Sequence, residues 1–318
     1  MKSAAQSAYE KVQAKLLRAP GMIEESERRL LFKAAFNCQE LPIVEFGAFF
    51  GASTLALASG LSSRGTNAHQ LTSIDAFEVE KNHGLHKHVI EFARRCKAEH
   101  LLCTTDGTKT NWINVTEATL GQERKKVKLV KGIVDKNLDM SFLPEQIGVL
   151  HLDLPKDAET ITPILQEAFP RVAKGGIIAF QDYAYQFSNE LISFFELLEQ
   201  RKLIKIINIA ASSAFFEVCE HNISGEKLEE ILQESLCTQY SLINNAISKY
   251  SKYPHGRSQE LIALHAAAIR SLTTQEFQTS FQQQNNVANR IEIMTGINPK
   301  RAAFVLAELL TERMEKHR

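Results

Sequence analysis

The chain carries no surplus charge: 37 Lys and Arg stand against 37 Asp and Glu. That balance removes any global electrostatic reason to bind nucleic acid or an acidic membrane surface. The one dense basic patch, Arg124-Lys125-Lys126-Val127-Lys128, reads as the solvated entrance to a strand. No window approaches 18 consecutive apolar residues, so no membrane span is expected. Met1 to Gln6 leads into an amphipathic stretch instead of an apolar core, so no secretory signal is expected either. Cysteine is sparse and unpatterned. Cys38, Cys96, Cys103, Cys219 and Cys237 are odd in number and form no CxxC pair, which suits reduced thiols in a cytoplasmic protein. A nicotinamide-type GxGxxG is also missing.

Apolar residues make up 44% of the 318 residues, an ordinary value for a globular chain. Residues from about 5 to 37 read as helical, with a break at Ala19-Pro20-Gly21-Met22. Short apolar strands follow at Ile43–Phe46, Gln70–Ile74, Val127–Val130, Ile147–Leu152 and Gly176–Phe180. Helical patterns separate several of them, at Thr54–Leu61, His88–Ala98, Ile161–Val172 and Asn189–Gln200. Such alternation predicts a parallel sheet covered on both faces. Leu203–Ala210 and Ala214–Cys219 are separated only by Ala211-Ser212-Ser213, too few residues for a crossover. That pair must be an antiparallel hairpin. Beyond about residue 221 the strand signal fades into helices, with a capping box at Thr273-Thr274-Gln275-Glu276 and a last helix over Ala302–Met314.

The chemistry concentrates at strand ends. Ile43-Val44-Glu45-Phe46 runs into Gly47 and Gly51, and Ser53-Thr54 then opens a helix. The glycines let a ligand approach the backbone, and the helix start presents free N–H groups to its polar atoms. Glu45 suits a ligand with a positive amino group better than one with a pyrophosphate. In Leu71-Thr72-Ser73-Ile74-Asp75-Ala76-Phe77-Glu78, Asp75 is placed to accept hydrogen bonds from a ribose diol, or to cap the next turn. Gly132, in Lys131-Gly132-Ile133-Val134, would let an adenine lie against the backbone. Val149-Leu150-His151-Leu152-Asp153 and Ala179-Phe180-Gln181-Asp182-Tyr183 each end a strand in a carboxylate. Asp153 and Asp182 either share a hard cation or cap turns. His151 on its apolar strand reads as structural. His83, His86 and His88 read as exposed loop histidines, with a role as bases as the alternative.

In order and spacing these motifs resemble class I S-adenosylmethionine-dependent methyltransferases, and within them the macrocin O-methyltransferase-like enzymes. The resemblance runs from Pro20-Gly21 through Val44-Glu45-Phe46-Gly47, Gly51-Ala52-Ser53, Asp75-Ala76-Phe77-Glu78, Lys131-Gly132, His151-Leu152-Asp153 and Gly175-Gly176 to Asp182-Tyr183. It implies a Rossmann-like α/β fold: a mostly parallel seven-stranded sheet ending in the antiparallel hairpin, with an N-terminal helical segment (1–40), a cofactor-binding domain (41–220) and a helical extension (221–318). It implies that Glu45, Gly47 and Ser53 surround the methionine portion of the cofactor, that Asp75 holds the ribose, and that Gly132 and Ile133 border the adenine. Gly51, Phe77 and Asp153 are further candidates for cofactor binding.

Two departures stand out. The family carries Asp-x-Asp after the fourth strand, the second Asp serving as base, and here that position is Pro155. Its fifth strand ends in Asp-Asp-Tyr, completing a magnesium site, and here the residues are Gln181-Asp182-Tyr183. Asp153, Gln181 and Asp182 remain as a weakened Mg2+ set. Asp153, Asp157 and Asp182 are the candidate catalytic carboxylates, with Asp157 the substitute base. The implied reaction is methyl transfer to the hydroxyl of a small-molecule acceptor, with neither nucleic acid nor membrane as partner and the extension as a surface for self-association. The alternatives are metal-independent methylation of an amine or acidic hydroxyl, and a cofactor-binding scaffold without turnover.

Overall fold

A computed structural model describes residues 3–38, 40–65, 71–154, 158–185, 187–220, 223–252 and 258–271. The capping box at 273–276 and the helix expected over 302–314 lie outside the described residues. The chain divides into two compact units. The first takes residues 1–154 and 171–179, and the second takes 155–170 and 180–318.

The first unit opens with helices α1 (Ala4–Arg18) and α2 (Glu25–Asn37), which flank the expected break. Ser3 caps α1 by accepting from the Gln6 amide. Arg28 fastens the break itself. It is buried, and its guanidinium donates to the carbonyls of Ile23 at 3.1 Å, Ala19 at 3.1 Å and Leu16. Gly21 then lies on the next helix so closely that a Cβ would sit 2.1 Å from Ala52 Cβ.

Strand β1 (Ile43–Phe46) pairs in parallel with β2 (Leu71–Asp75) on one side and with β7 (Ile147–Leu152) on the other. β2 pairs in parallel with β6 (Val127–Lys131). Every residue of β1 and of β7 is buried, as strands covered on both faces must be. Helix α3 (Ala52–Arg64) follows β1, and α5 (Ile113–Leu120) lies between β2 and β6. β8 (Val172–Phe180) follows β7 and starts four residues earlier than its apolar core suggests.

In the second unit, β9 (Ile204–Ala210) and β10 (Ser213–Val218) form the antiparallel hairpin. The sheet has the expected seven strands and terminal hairpin, in the order β6-β2-β1-β7-β8-β10-β9. The second unit also holds α6 (Ala158–Glu167), α7 (Asn189–Gln200), α8 (Gly225–Cys237), α9 (Gln239–Tyr250) and α10 (Ser258–Arg270). The helices after residue 221 therefore pack with α7, and α9 meets both α7 and α10.

One element was not expected. Between β2 and α5 the chain folds a small sheet in the order β3-β5-β4, from β3 (Glu78–Glu80), β4 (Cys103–Thr105) and β5 (Lys109–Asn111), with α4 (Gly84–Arg95) between β3 and β4. Its strands are three residues long and mostly polar, too short to show a period. Among the described residues, no helix is long and apolar enough to cross a membrane.

Candidate active site

The first unit collects the ends of β1, β2, β6 and β7 at one edge of the sheet. Beneath that edge lies a buried polar network. Glu45 on β1 is fully buried. Its Oε2 accepts from Thr54 Oγ1 at 2.5 Å and from Ser73 Oγ at 2.6 Å, and its Oε1 lies 3.1 Å from His151 Nδ1. Register explains the meeting. Glu45 stands opposite Ser73 on β2 and opposite His151 on β7, so three polar residues of three apolar strands fall in one row. Burial pushes the Glu45 carboxyl up, but the hydrogen bonds and charge of its partners outweigh it and hold the group below its ordinary value. In this structure Glu45, expected to face a ligand's amino group, has protein partners on both carboxylate oxygens, and its side chain ties β1, β2, β7 and α3 together.

Above this network the loop from Gly47 to Gly51 is organised by Asp75. Asp75 Oδ2 accepts from the amides of Ala48 and Phe49, both at 2.9 Å, and Oδ1 accepts from the Phe77 amide at 2.6 Å. Burial raises this carboxyl to about 6 against the three amides, and the nearby Asp153 carboxylate adds to the rise. Gly47 (φ +93°) donates to Ile74 O at 2.8 Å, and a Cβ there would fall 1.8 Å from Asp153 O. Only glycine permits that approach. Asp153 is tied back in turn, its amide donating to Phe46 O at 2.8 Å. Gly132 donates to Asp75 O at 2.9 Å, which places Gly132 and the exposed Ile133 beside Asp75. Ser53 is buried in the first turn of α3, just past Gly51.

Gly47, Asp75, Gly132 and Asp153 thus come together at one edge. Phe77 does not join them. It is fully buried among Phe50, Trp112, Val115 and Val89, so its side chain offers no surface to a ligand. The aromatic after Asp75 serves the core. Phe49 and Phe50 stack at 4.1 Å between ring centroids, with Phe49 5.9 Å from Trp112, so an aromatic cluster backs the loop.

The histidines expected in an exposed loop lie at and within α4: His83 caps the helix by accepting from the Leu85 amide, His86 is half-buried with Nε2 3.0 Å from Thr110 Oγ1, and His88 is exposed on the helix. His151 belongs to the Glu45 network.

The remaining candidates sit in the second unit. Gln181 is buried, and Asp182 adopts a left-handed φ of +59°. The Asp182 carboxylate accepts from Ser212 Oγ at 3.3 Å, and its carbonyl accepts from Ser188 Oγ at 2.8 Å. Tyr183 is buried and donates to Glu196 Oε1 at 2.7 Å, and Lys249 Nζ meets Glu196 Oε2 at 2.6 Å. Pro155 and Asp157 lie outside the described residues. Among the described residues, no group of three or more His, Cys, Asp or Glu side chains is placed to hold a metal ion. The residues expected for magnesium, Asp153, Gln181 and Asp182, offer two carboxylates and one amide carbonyl.

Residue-by-residue reading missed Ser73, Thr54, Arg28, Glu196 and Lys249. A weak signal existed for the first two, as polar residues inside apolar elements. Nothing local marks the others.

This edge has the layout of a small-molecule site at the carboxyl ends of parallel strands. A family model described as a methyltransferase domain matches residues 44–183, a little under half of the chain. Residues 44–183 are a methyltransferase domain. The seven-stranded order with its reversed hairpin is the class I methyltransferase arrangement. No curated protein matches the sequence. Among solved structures, the chain is similar to the O-methyltransferase NovP, with 14% identity, a TM-score of 0.46, and coverage of 68% of this chain and 95% of that one. An O-methyltransferase from Bacillus cereus in complex with SAH shows 14% identity, a TM-score of 0.37, and coverage of 69% and 92%. CalS11, a TDP-rhamnose 3'-O-methyltransferase of calicheamicin biosynthesis, shows 14% identity, a TM-score of 0.40, and coverage of 67% and 92%.

Proposed function

We propose that this methyltransferase moves a methyl group from S-adenosylmethionine to the hydroxyl of a small molecule of sugar or natural-product type. The observation that carries the cofactor is the edge formed by Gly47, Asp75, Gly132 and Asp153. Asp75 Oδ2 is committed to two loop amides, while Oδ1 takes only one. A carboxylate oxygen accepts two hydrogen bonds, so Oδ1 keeps a position for a ribose hydroxyl. Gly132 and Ile133 border the adenine in this reading, and Ser53 with the first-turn amides of α3 receives the amino-acid end. Asp153 supplies negative charge for the ammonium group.

The cofactor, when bound, supplies an electrophilic methyl group on a sulfonium. The chain's part is to align an acceptor oxygen with it and to take the hydroxyl proton. Asp182 is the candidate proton acceptor. Asp157, outside the described residues, is the other. No step is derived through magnesium. The second reading is metal-independent transfer, in which an acidic hydroxyl or an amine needs less activation; what favours it is Gln181 and Pro155 at positions where the resembled family carries Asp. Turnover unchanged by chelator supports it, and strict dependence on added magnesium refutes it.

The unpaired thiols of all five cysteines suit a cytoplasmic location. Self-association through the helices after residue 221 is proposed alongside, to be read from size-exclusion chromatography with light scattering. Calorimetry tests the central reading. S-adenosylmethionine binds the wild type, and Asp75→Ala weakens it at least about tenfold, as loss of a charged hydrogen bond requires. No binding at millimolar ligand, or equal binding by the variant, refutes it.

A further inference from the structure

The first unit contains a cavity of about 310 Å³ that shares no lining residue with the edge of Gly47, Asp75, Gly132 and Asp153. It opens between the end of α1, the start of α3, the turn after α4, and α5. Its floor is apolar: Leu55, Ala98 and Val115 line it and are themselves buried. Its rim is cationic: Lys15, Arg18 and Lys97 line it and are exposed. Among the described residues that line it there is no carboxylate. Cys96, on the same wall, adds no negative charge, because burial raises its thiol against the lowering effect of Arg95.

The three cations are not equivalent. Lys15 Nζ is 3.0 Å from Glu123 Oε1, so its charge is matched. Arg18 and Lys97 have no ion-pair partner among the described residues. Each stands at a helix end, where a cation answers the negative pole of the helix. Here those poles are already answered. Arg28 donates to the carbonyls of Leu16 and Ala19 at the end of α1. The amides of Lys97 and Ala98 close on the carbonyls of Arg94 and Ala93 at the end of α4. The charges of Arg18 and Lys97 are therefore left over at the mouth of an apolar cavity. Lys97 is held there at a left-handed φ of +57°, in the position after a helix that glycine commonly takes. A guanidinium and an ammonium above an apolar floor complement a ligand with an anionic head and a short hydrocarbon tail.

We propose that this cavity binds a small amphiphilic anion, with its head at Arg18 and Lys97 and its tail on Leu55, Ala98 and Val115. At about 30 Å³ for each water molecule the space holds about ten, which matches a ligand of about ten non-hydrogen atoms, such as octanoate. The head is a carboxylate or a phosphate monoester, since a guanidinium meets either through two parallel hydrogen bonds. This is a second site, and it stands whether or not the edge binds S-adenosylmethionine.

Isothermal titration calorimetry on the full chain tests it with octanoate, octyl phosphate, octanol and acetate. An anion with a tail binds at one site per chain, and the tighter of the two identifies the head. Octanol lacks the charge and acetate lacks the tail, so each binds at least about tenfold more weakly. Arg18→Gln/Lys97→Gly weakens the tighter anion by about tenfold or more, as loss of charged hydrogen bonds requires. Both side chains are exposed, and glycine suits the left-handed position, so the variant melts with the wild type or above it. If the double variant does not fold, Lys97→Gly alone repeats the test, with a loss of about fivefold. The proposal is overturned if neither anion binds at millimolar concentration, if octanol or acetate binds as tightly as the anion, or if the variant binds it as the wild type does.

Discussion

Replacing Glu45 with Ala separates a structural carboxylate from a ligand-binding one. In the native protein Glu45 is fully buried, and Thr54, Ser73 and His151 all direct hydrogen-bonding atoms at it. Each hydrogen bond to a charged group contributes about 1.5–3 kcal/mol, and the three are not additive because they share one acceptor. The substitution leaves two hydroxyls and an imidazole facing a small void. Removing one member of a buried polar set costs about 3–5 kcal/mol, and that is the loss expected here. Glu45→Gln keeps the acceptor for Thr54 and Ser73 and disturbs only the His151 side, so it costs about 1–2 kcal/mol. Equilibrium unfolding in urea, followed by far-ultraviolet circular dichroism, measures both. The pH dependence carries a further mark. The folded-state carboxyl is held below its ordinary 4.5, so its contribution is complete above pH 4.5 and fades as pH falls through the folded value. Glu45→Ala therefore has a flatter acid limb than the wild type. A cost below about 1 kcal/mol for Glu45→Ala would refute the network. So would a Glu45→Gln protein of native stability that has lost S-adenosylmethionine, since that is the signature of a carboxylate facing the ligand.

Asp75 carries the opposite sign: its folded carboxyl is raised from 3.8 to about 6, so its contribution is complete below 3.8 and is lost as pH rises through about 6. Asp75→Asn should gain on the wild type by at most about 3 kcal/mol between acid and neutral pH in urea melts, and a pH-independent difference contradicts this. Lys249→Met strips the buried Glu196 of its cation; because Lys249 is partly exposed the cost is about 2–3 kcal/mol, and Lys249→Met/Glu196→Gln recovers part of it, as a double-mutant cycle would show. Faster amide exchange at Ala184 in Lys249→Met would show that the loss reaches the turn after β8. Arg28→Ala leaves the carbonyls of Leu16, Ala19 and Ile23 without their donor and lowers the thermal midpoint, at a cost of about 3 kcal/mol, whereas an unchanged midpoint would mean the break at Pro20-Gly21 holds without it.

The sheet was legible because it rests on repeated local signals. β1 and β7 fall where their apolar runs place them, and three residues between β9 and β10 leave no other topology than a hairpin. The small sheet β3-β5-β4 was not legible, since strands of three mostly polar residues carry no period and are defined only by one another. The site divides along the same line. That Gly47, Asp75, Gly132 and Asp153 come together was legible because each ends or follows a strand, and parallel strands gather their ends at one edge. The Glu45 network was not legible because its partners lie 9, 28 and 106 residues away in sequence. Only the register brings them into a row. Phe77 was misread for a related reason: neighbouring Asp75 in sequence says nothing about which way its ring turns, and the aromatic core claims it.

The structure gives the acidic strand ends separate tasks, and the separation has a consequence for binding. Glu45 is fully buried and its three partners all belong to the scaffold, so it fixes where β1 ends. Asp75 spends three acceptor positions on the loop amides and Phe77, and holds one at the edge where Gly132 and Ile133 begin. A donor arriving there strengthens the same carboxylate that orders Ala48 and Phe49. Ligand binding and loop order are therefore coupled through one side chain: each favours the ionised form, and each is weakened when the carboxyl takes up a proton near pH 6. A loop glycine such as Gly47 cannot transmit that coupling, because its role is complete once it permits the approach of Asp153. In the proposed reading, selectivity at this edge rests on the carboxylate behind the glycines, and the glycines set only how closely a ligand can come.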